Sequence, residues 1–111
     1  MKQIQLSDDF PEIITLCGST RFKKEFLEVQ KNLSLEGKII ISFSMFGHAD
    51  NEPITEKQKK ALDQLHFRKI DLSDTIYVID VEGYIGESTR NEVDYAAKNG
   101  KKIRYYSHET Y

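Results

Sequence analysis

Along this chain, short apolar runs with no helical period alternate with longer stretches that have one, a pattern that reads as strands and helices in turn. Glu12 to Cys17 (EIITLC) is β-branched and apolar, closes at Gly18, and predicts a first strand buried on both faces. From Ser19 onward, Phe22, Phe26, Val29 and Leu33 recur at spacings of four, three and four as far as Gly37, which predicts an amphipathic helix with a glycine stop. Lys38 to Ser44 (KIIISFS) predicts a second strand, and the loop Met45 to Pro53 follows neither period. Ile54 to Ser73 is rich in good helix formers and places Leu62, Leu65, His66 and Ile70 on one side of a second helix. Asp74 to Asp80 (DTIYVID) predicts a third buried strand, followed by a glycine-containing loop from Val81 to Glu87. Ser88 to Asn99 predicts a third helix with Val93, Ala96 and Ala97 on one face, and Lys102 to Ser107 (KIRYYS) a fourth strand after Asn99-Gly100.

Strands alternating with helices imply an α/β fold with a parallel sheet, because each right-handed crossover returns to the same edge. The expected strand order is 2-1-3-4. In that order the chain winds one way from strand one and the other way into strand three, so the crevice between their carboxyl ends is the topological switch point where open α/β sheets bind ligands.

A length of 111 residues fits one domain spanning 1–111 and is too short for two ordinary cores. The 16 Lys+Arg against 18 Asp+Glu leave a net charge of -2, so no global basic field is present to hold a nucleic-acid polymer. The single cysteine, Cys17, cannot form an internal disulfide, and neither a membrane-spanning run nor the apolar stretch of a signal peptide is visible. A cytoplasmic location is the expectation. Nothing clusters ligands at metal spacing, so no metal or redox cofactor is expected.

The chemistry-bearing segments fall where strands hand over to helices. Gly18-Ser19-Thr20-Arg21 follows strand one, and Glu87-Ser88-Thr89-Arg90 follows strand three, each placing two hydroxyls and a guanidinium near a helix N-terminus. Such a terminus carries unpaired N–H groups and about half a positive charge, which suits a phosphate or an array of sugar hydroxyls; the plainer reading makes the hydroxyls ordinary N-caps. Glu92 lies in the first turn of the third helix, where its carboxylate can lean over the crevice, although Thr89-x-x-Glu92 also has the spacing of a capping box. His66 is either a satisfied semi-buried histidine or a site residue, and Cys17 reads as a small buried strand residue. Asp74 and Asp80 bracket strand three, with Asp80 at the carboxyl end. Met45, Phe46 and His48 sit on a loop that opens at that same edge, where they are either candidates to cover a base or part of an ordinary surface loop.

Taken together, a first strand ending in Gly18-Ser19-Thr20, the strand Asp74 to Asp80, and Gly83-Tyr84-Ile85-Gly86-Glu87-Ser88-Thr89-Arg90-Asn91-Glu92 running into Asp94-Tyr95-Ala96 resemble the nucleoside 2-deoxyribosyltransferase superfamily over residues 12 to 106. The resemblance implies a small Rossmann-like three-layer sandwich that works as a dimer or larger oligomer. It also implies cleavage or transfer at the N-glycosidic bond of a nucleoside or nucleoside 5′-monophosphate, without cofactor. Glu92 matches the family's glutamate nucleophile, with the expected Tyr-Ala pair at Tyr95-Ala96. Gly18, Ser19, Thr20, Arg21, Phe46, Asp80, Tyr84, Gly86, Ser88, Thr89 and Arg90 are then the expected substrate-binding residues. The family's transferases carry an aspartate where this chain has Gly86, and the monophosphate hydrolases a serine. A second family aspartate falls near Leu65-His66-Phe67, where His66 is the polar replacement that would protonate or orient the base. The expected partners are a small nucleoside or nucleotide and a second copy of the chain, with neither nucleic acid nor membrane. The alternative is a non-catalytic nucleotide-binding or sensing module using the same crevice, with Glu92 serving only as a cap.

Overall fold

The computed structural model describes residues 9–42 and 53–109. Among these, four strands, β1 (Ile13–Gly18), β2 (Ile39–Ile41), β3 (Thr75–Ile79) and β4 (Lys102–Tyr105), alternate with three α-helices, α1 (Lys23–Leu35), α2 (Glu56–Asp71) and α3 (Glu87–Lys98). All strand pairs are parallel and the order is β2-β1-β3-β4, as the alternation predicts. β1 and β3 pair from Ile14↔Thr75 through Gly18↔Ile79, so both end at the same edge.

Period-two alternation sends successive strand residues to opposite faces. Ile14 and Leu16 of β1, with Tyr77 and Ile79 of β3, pack against Phe26, Val29 and Leu33 of α1. On the other face Cys17, Ile76 and Val78 meet Ile70 of α2 and Ala96 of α3. The central strands are buried on both faces, which explains their unbroken apolar runs. The result is a three-layer α/β sandwich of the Rossmann-like kind, in which α2 and α3 cover the face that carries Cys17.

The helix faces match the expected ones in part: His66, Ile70 and Ala96 are buried as expected, and two residues of those faces are not. Leu65 is 46% exposed and Ala97 lies outside the core, whereas His66 and Ile70 are the buried residues of α2, and Thr89, Glu92 and Ala96 those of α3. Leu65 stands one position, about 100°, off the buried stripe. On α3 two polar residues hold the inward positions, so hydrophobicity does not mark that face.

Boundaries also shift. A 3-10 turn, Thr20–Phe22, precedes α1, so that helix starts later than Ser19. At α2 a capping box forms, in which Thr55 Oγ1 accepts from the Gln58 N–H at 3.0 Å and Gln58 Oε1 from the Thr55 N–H at 2.9 Å. β2 stops at Ile41; positions 43 and 44 of the expected second strand lie outside the described residues, as do Met45, Phe46 and His48 of the loop after it. No helix among the described residues is long and apolar enough to cross a membrane.

Candidate functional site

The handover segments after β1 and β3 touch across the switch point. The Arg21 guanidinium stacks on Tyr84, 4.8 Å from the ring centroid, and Phe22 meets the same ring edge-on at 6.0 Å. Tyr84 in turn lies over Gly86, where an added Cβ would stand 3.5 Å from the tyrosine hydroxyl. Gly18 has φ +147°, and a Cβ there would approach the Ile79 carbonyl oxygen to 2.9 Å. Its role is therefore close approach between β1 and β3, which only glycine permits.

The two Ser-Thr-Arg copies are not equivalent in three dimensions. Ser19 Oγ accepts from the Arg21 backbone N–H at 3.3 Å and from Arg21 Nε at 3.1 Å, so it both caps the 3-10 turn and steers the guanidinium. Thr20 is half-buried within that turn. In the second copy the N-cap of α3 is Gly86 rather than a hydroxyl residue. Ser88 accepts from Lys59 Nζ at 3.4 Å, Thr89 is buried against the sheet and Arg90 is exposed.

With Gly86 at the N-cap, Thr89 lies inside the helix and the capping-box role expected for Glu92 is excluded. The carboxyl is instead drawn into the protein. Glu92 is 5% exposed, and among the described residues its Oε1 has no hydrogen-bond partner. His66, 3% exposed, places Nε2 at 3.9 Å from that oxygen and at 3.5 Å from Cys17 Sγ. The three side chains come from three elements, β1, α2 and α3, and converge at the carboxyl edge of the sheet.

Burial sets the protonation of this trio, because it disfavours whichever form is charged. It pushes Glu92 up to about 8, with the negative charge of Asp63 adding to the rise while the Cys17 thiol and Lys59 oppose it. It also pushes His66 down to about 4, assisted by Lys69. The Cys17 thiol is held well above its usual range by burial, and the neighbouring Glu92 carboxyl adds to this. At neutral pH all three groups are therefore uncharged, and His66 and Glu92 do not form an ion pair.

Other expected residues have structural work. Asp80 accepts from the Ser107 N–H at 2.8 Å and the Ser107 hydroxyl at 2.6 Å, so both its oxygens tie down the turn after β4. Tyr95 donates to Asp71 Oδ1 at 2.5 Å and packs its ring 4.7 Å from that of Phe67 at a tilt of 52°, latching α3 to α2. Asp74 accepts from the Ile13 N–H at 2.9 Å, at the opposite end of the sheet from the site.

Sequence reasoning passed over Asp63 and Lys59, which pair at 3.0 Å on α2 beside Glu92. Their i,i+4 spacing, with Asp63 three positions before His66, is the signal that marks them. It also left Cys17 in the core without a chemical role, because 49 residues separate it from His66. Cys17, His66 and Glu92 are all metal-ligating residue types, and their candidate donor atoms lie within 4.8 Å of one another. No protein-family model matches the chain, and no curated protein matches it.

Proposed function

We propose that the chain cleaves or transfers at the N-glycosidic bond of a nucleoside or nucleoside 5′-monophosphate, with Glu92 as the nucleophile. One observation carries this reading: a buried carboxyl with an unpartnered oxygen at the switch-point edge of the sheet, where general packing rules leave no reason for one. In the first displacement an ionised Glu92 oxygen bonds to the anomeric carbon while the C–N bond breaks, its electron pair leaving with the base. In the second, water or another base attacks the same carbon and the ester bond to Glu92 breaks. His66 is neutral above about pH 4 and acts as a positioning residue for the carboxyl rather than as the acid that protonates the base. Tyr84 and Arg21 form an aromatic and cationic wall beside Gly86, and Arg90, exposed in the first turns of α3, is available to a 5′-phosphate. Pairing of two copies belongs to the same proposal.

A second reading, a nucleotide-binding module without catalysis, is favoured by one feature. Glu92 is held protonated until about pH 8, and a neutral carboxyl is a poor nucleophile. Incubation with a panel of nucleosides and their 5′-monophosphates, followed for free base, separates the two. Release of base supports the enzyme; binding of a nucleotide with no release from any member of the panel supports the binder.

A further inference from the structure

We propose that Cys17 Sγ, His66 Nε2 and Glu92 Oε1 form a three-ligand site for a divalent transition-metal ion of the zinc class. The donor set comes first. A thiolate, an imidazole and a carboxylate make a borderline-soft combination that suits zinc or cobalt and is wrong for magnesium or calcium, which take oxygen ligands. Bonds of about 2.3 Å to sulfur and about 2.0–2.2 Å to nitrogen and oxygen place tetrahedral ligands about 3.3–3.6 Å apart. The Cys17 Sγ–His66 Nε2 separation is already 3.5 Å, and His66 Nε2 and Glu92 Oε1 stand at 3.9 Å. All three donors fit within 4.8 Å of one another, so a small rotation of the glutamate side chain closes the triangle.

The unpartnered Glu92 Oε1 is an independent indication. A buried carboxyl oxygen without a partner carries an uncompensated desolvation cost, and a cation between it and the sulfur would satisfy it. The charges also balance, since one thiolate and one carboxylate neutralise a divalent ion. The ligands are held by a strand and two helices packed on one core, and His66 is further anchored by a hydrogen bond to the Leu16 backbone, the kind of contact that orients a ligating imidazole. Three protein ligands leave one tetrahedral position for water or a substrate atom.

This site does not rest on the glycosidic reading. Glu92 cannot ligate and attack at once, so a metal-loaded chain would be silent as a glycosidase while still binding its ion.

The test is titration of the chelator-stripped full chain with cobalt(II), read by absorption, then displacement by zinc. The expected result is one cobalt per chain, intense visible bands of tetrahedral geometry, and a near-ultraviolet thiolate-to-cobalt band that Cys17→Ser abolishes. Glu92→Gln should weaken zinc binding by about 100-fold or more. X-ray absorption of the zinc-loaded wild-type chain needs no variant to fold, and should give one sulfur at about 2.3 Å with nitrogen and oxygen at about 2.0 Å. Failure of the stripped chain to take up cobalt, a zinc shell without sulfur, or unchanged affinity in folded Glu92→Gln would each overturn the proposal.

Discussion

His66 Nε2 stands 3.9 Å from Glu92 Oε1, yet the two side chains are neutral partners, because the same burial that raises the carboxyl to about 8 lowers the imidazole to about 4. A proximity that would be an ion pair at the surface is here two uncharged groups facing each other. Cys17 from β1 completes the cluster, with Asp63, Lys59 and Lys69 of α2 as the charges that act on it.

The pH dependence of stability follows from those directions. Glu92 has a folded value near 8, above its ordinary 4.5, so its protonated form contributes stability that is complete below about pH 4.5 and is lost as pH rises through 8. His66 is the reverse: its folded value near 4 lies below the ordinary 6.5, so its contribution is present above 6.5 and lost as pH falls through 4. Between 4.5 and 6.5 the two slopes oppose each other. From pH 6.5 to 8 the Glu92 slope stands alone, and chelator-treated protein should lose about 1–2 kcal/mol across that interval. Glu92→Gln should flatten this slope in urea titrations at a series of pH values.

Glu92 must lose its proton to attack, so turnover by metal-free protein should rise about tenfold per pH unit and level off above about 8. A pH–rate profile that is flat from 6 to 9 would remove the ionised carboxylate from the mechanism. Glu92→Gln should retain the fold by circular dichroism and lose turnover by about three orders of magnitude or more.

Arg90 is exposed near the α3 N-terminus, where a phosphate would gain from both the guanidinium and the helix end. Arg90→Ala should weaken a nucleoside 5′-monophosphate by about 1.5–3 kcal/mol in calorimetry and leave the parent nucleoside nearly unchanged. Equal losses for both ligands would show that Arg90 does not read phosphate.

Two glycines at the crevice should respond differently to alanine. At Gly18 the new Cβ meets the Ile79 carbonyl oxygen at 2.9 Å with φ at +147°, and steric clash plus backbone strain should cost about 2–4 kcal/mol. At Gly86 φ is -78° and the nearest atom stands at an ordinary 3.5 Å, so the loss should stay below about 1 kcal/mol. Thermal unfolding of the two variants side by side checks the contrast.

Topology was legible because β1 and β3 are buried on both faces and therefore read as unbroken apolar runs, and because helices between them enforce parallel crossovers. The order β2-β1-β3-β4 follows from that pattern, whereas the stacking of Arg21 on Tyr84 at the switch point is visible only in the structure. The inward face of α3 was not legible, since Thr89 and Glu92 occupy it and a hydrophobic count points to Val93 and Ala97 instead. Thr89-x-x-Glu92 imitates a capping box, while the true N-cap, Gly86, has no side chain to announce itself. Cys17, His66 and Glu92 come together only through β1, α2 and α3 packing on one sheet face, a relation that no local spacing encodes.

A nucleophilic Glu92 must form a covalent bond with a sugar. A slowly resolving 2-fluoro-substituted nucleoside, incubated with metal-free protein and followed by peptide mass spectrometry, reads that bond directly. The expected result is one added fluoroglycosyl mass on the peptide that contains Glu92, and none on that peptide from Glu92→Gln. Release of free base from the unsubstituted nucleoside with no adduct on Glu92, or turnover that survives Glu92→Gln, would contradict it.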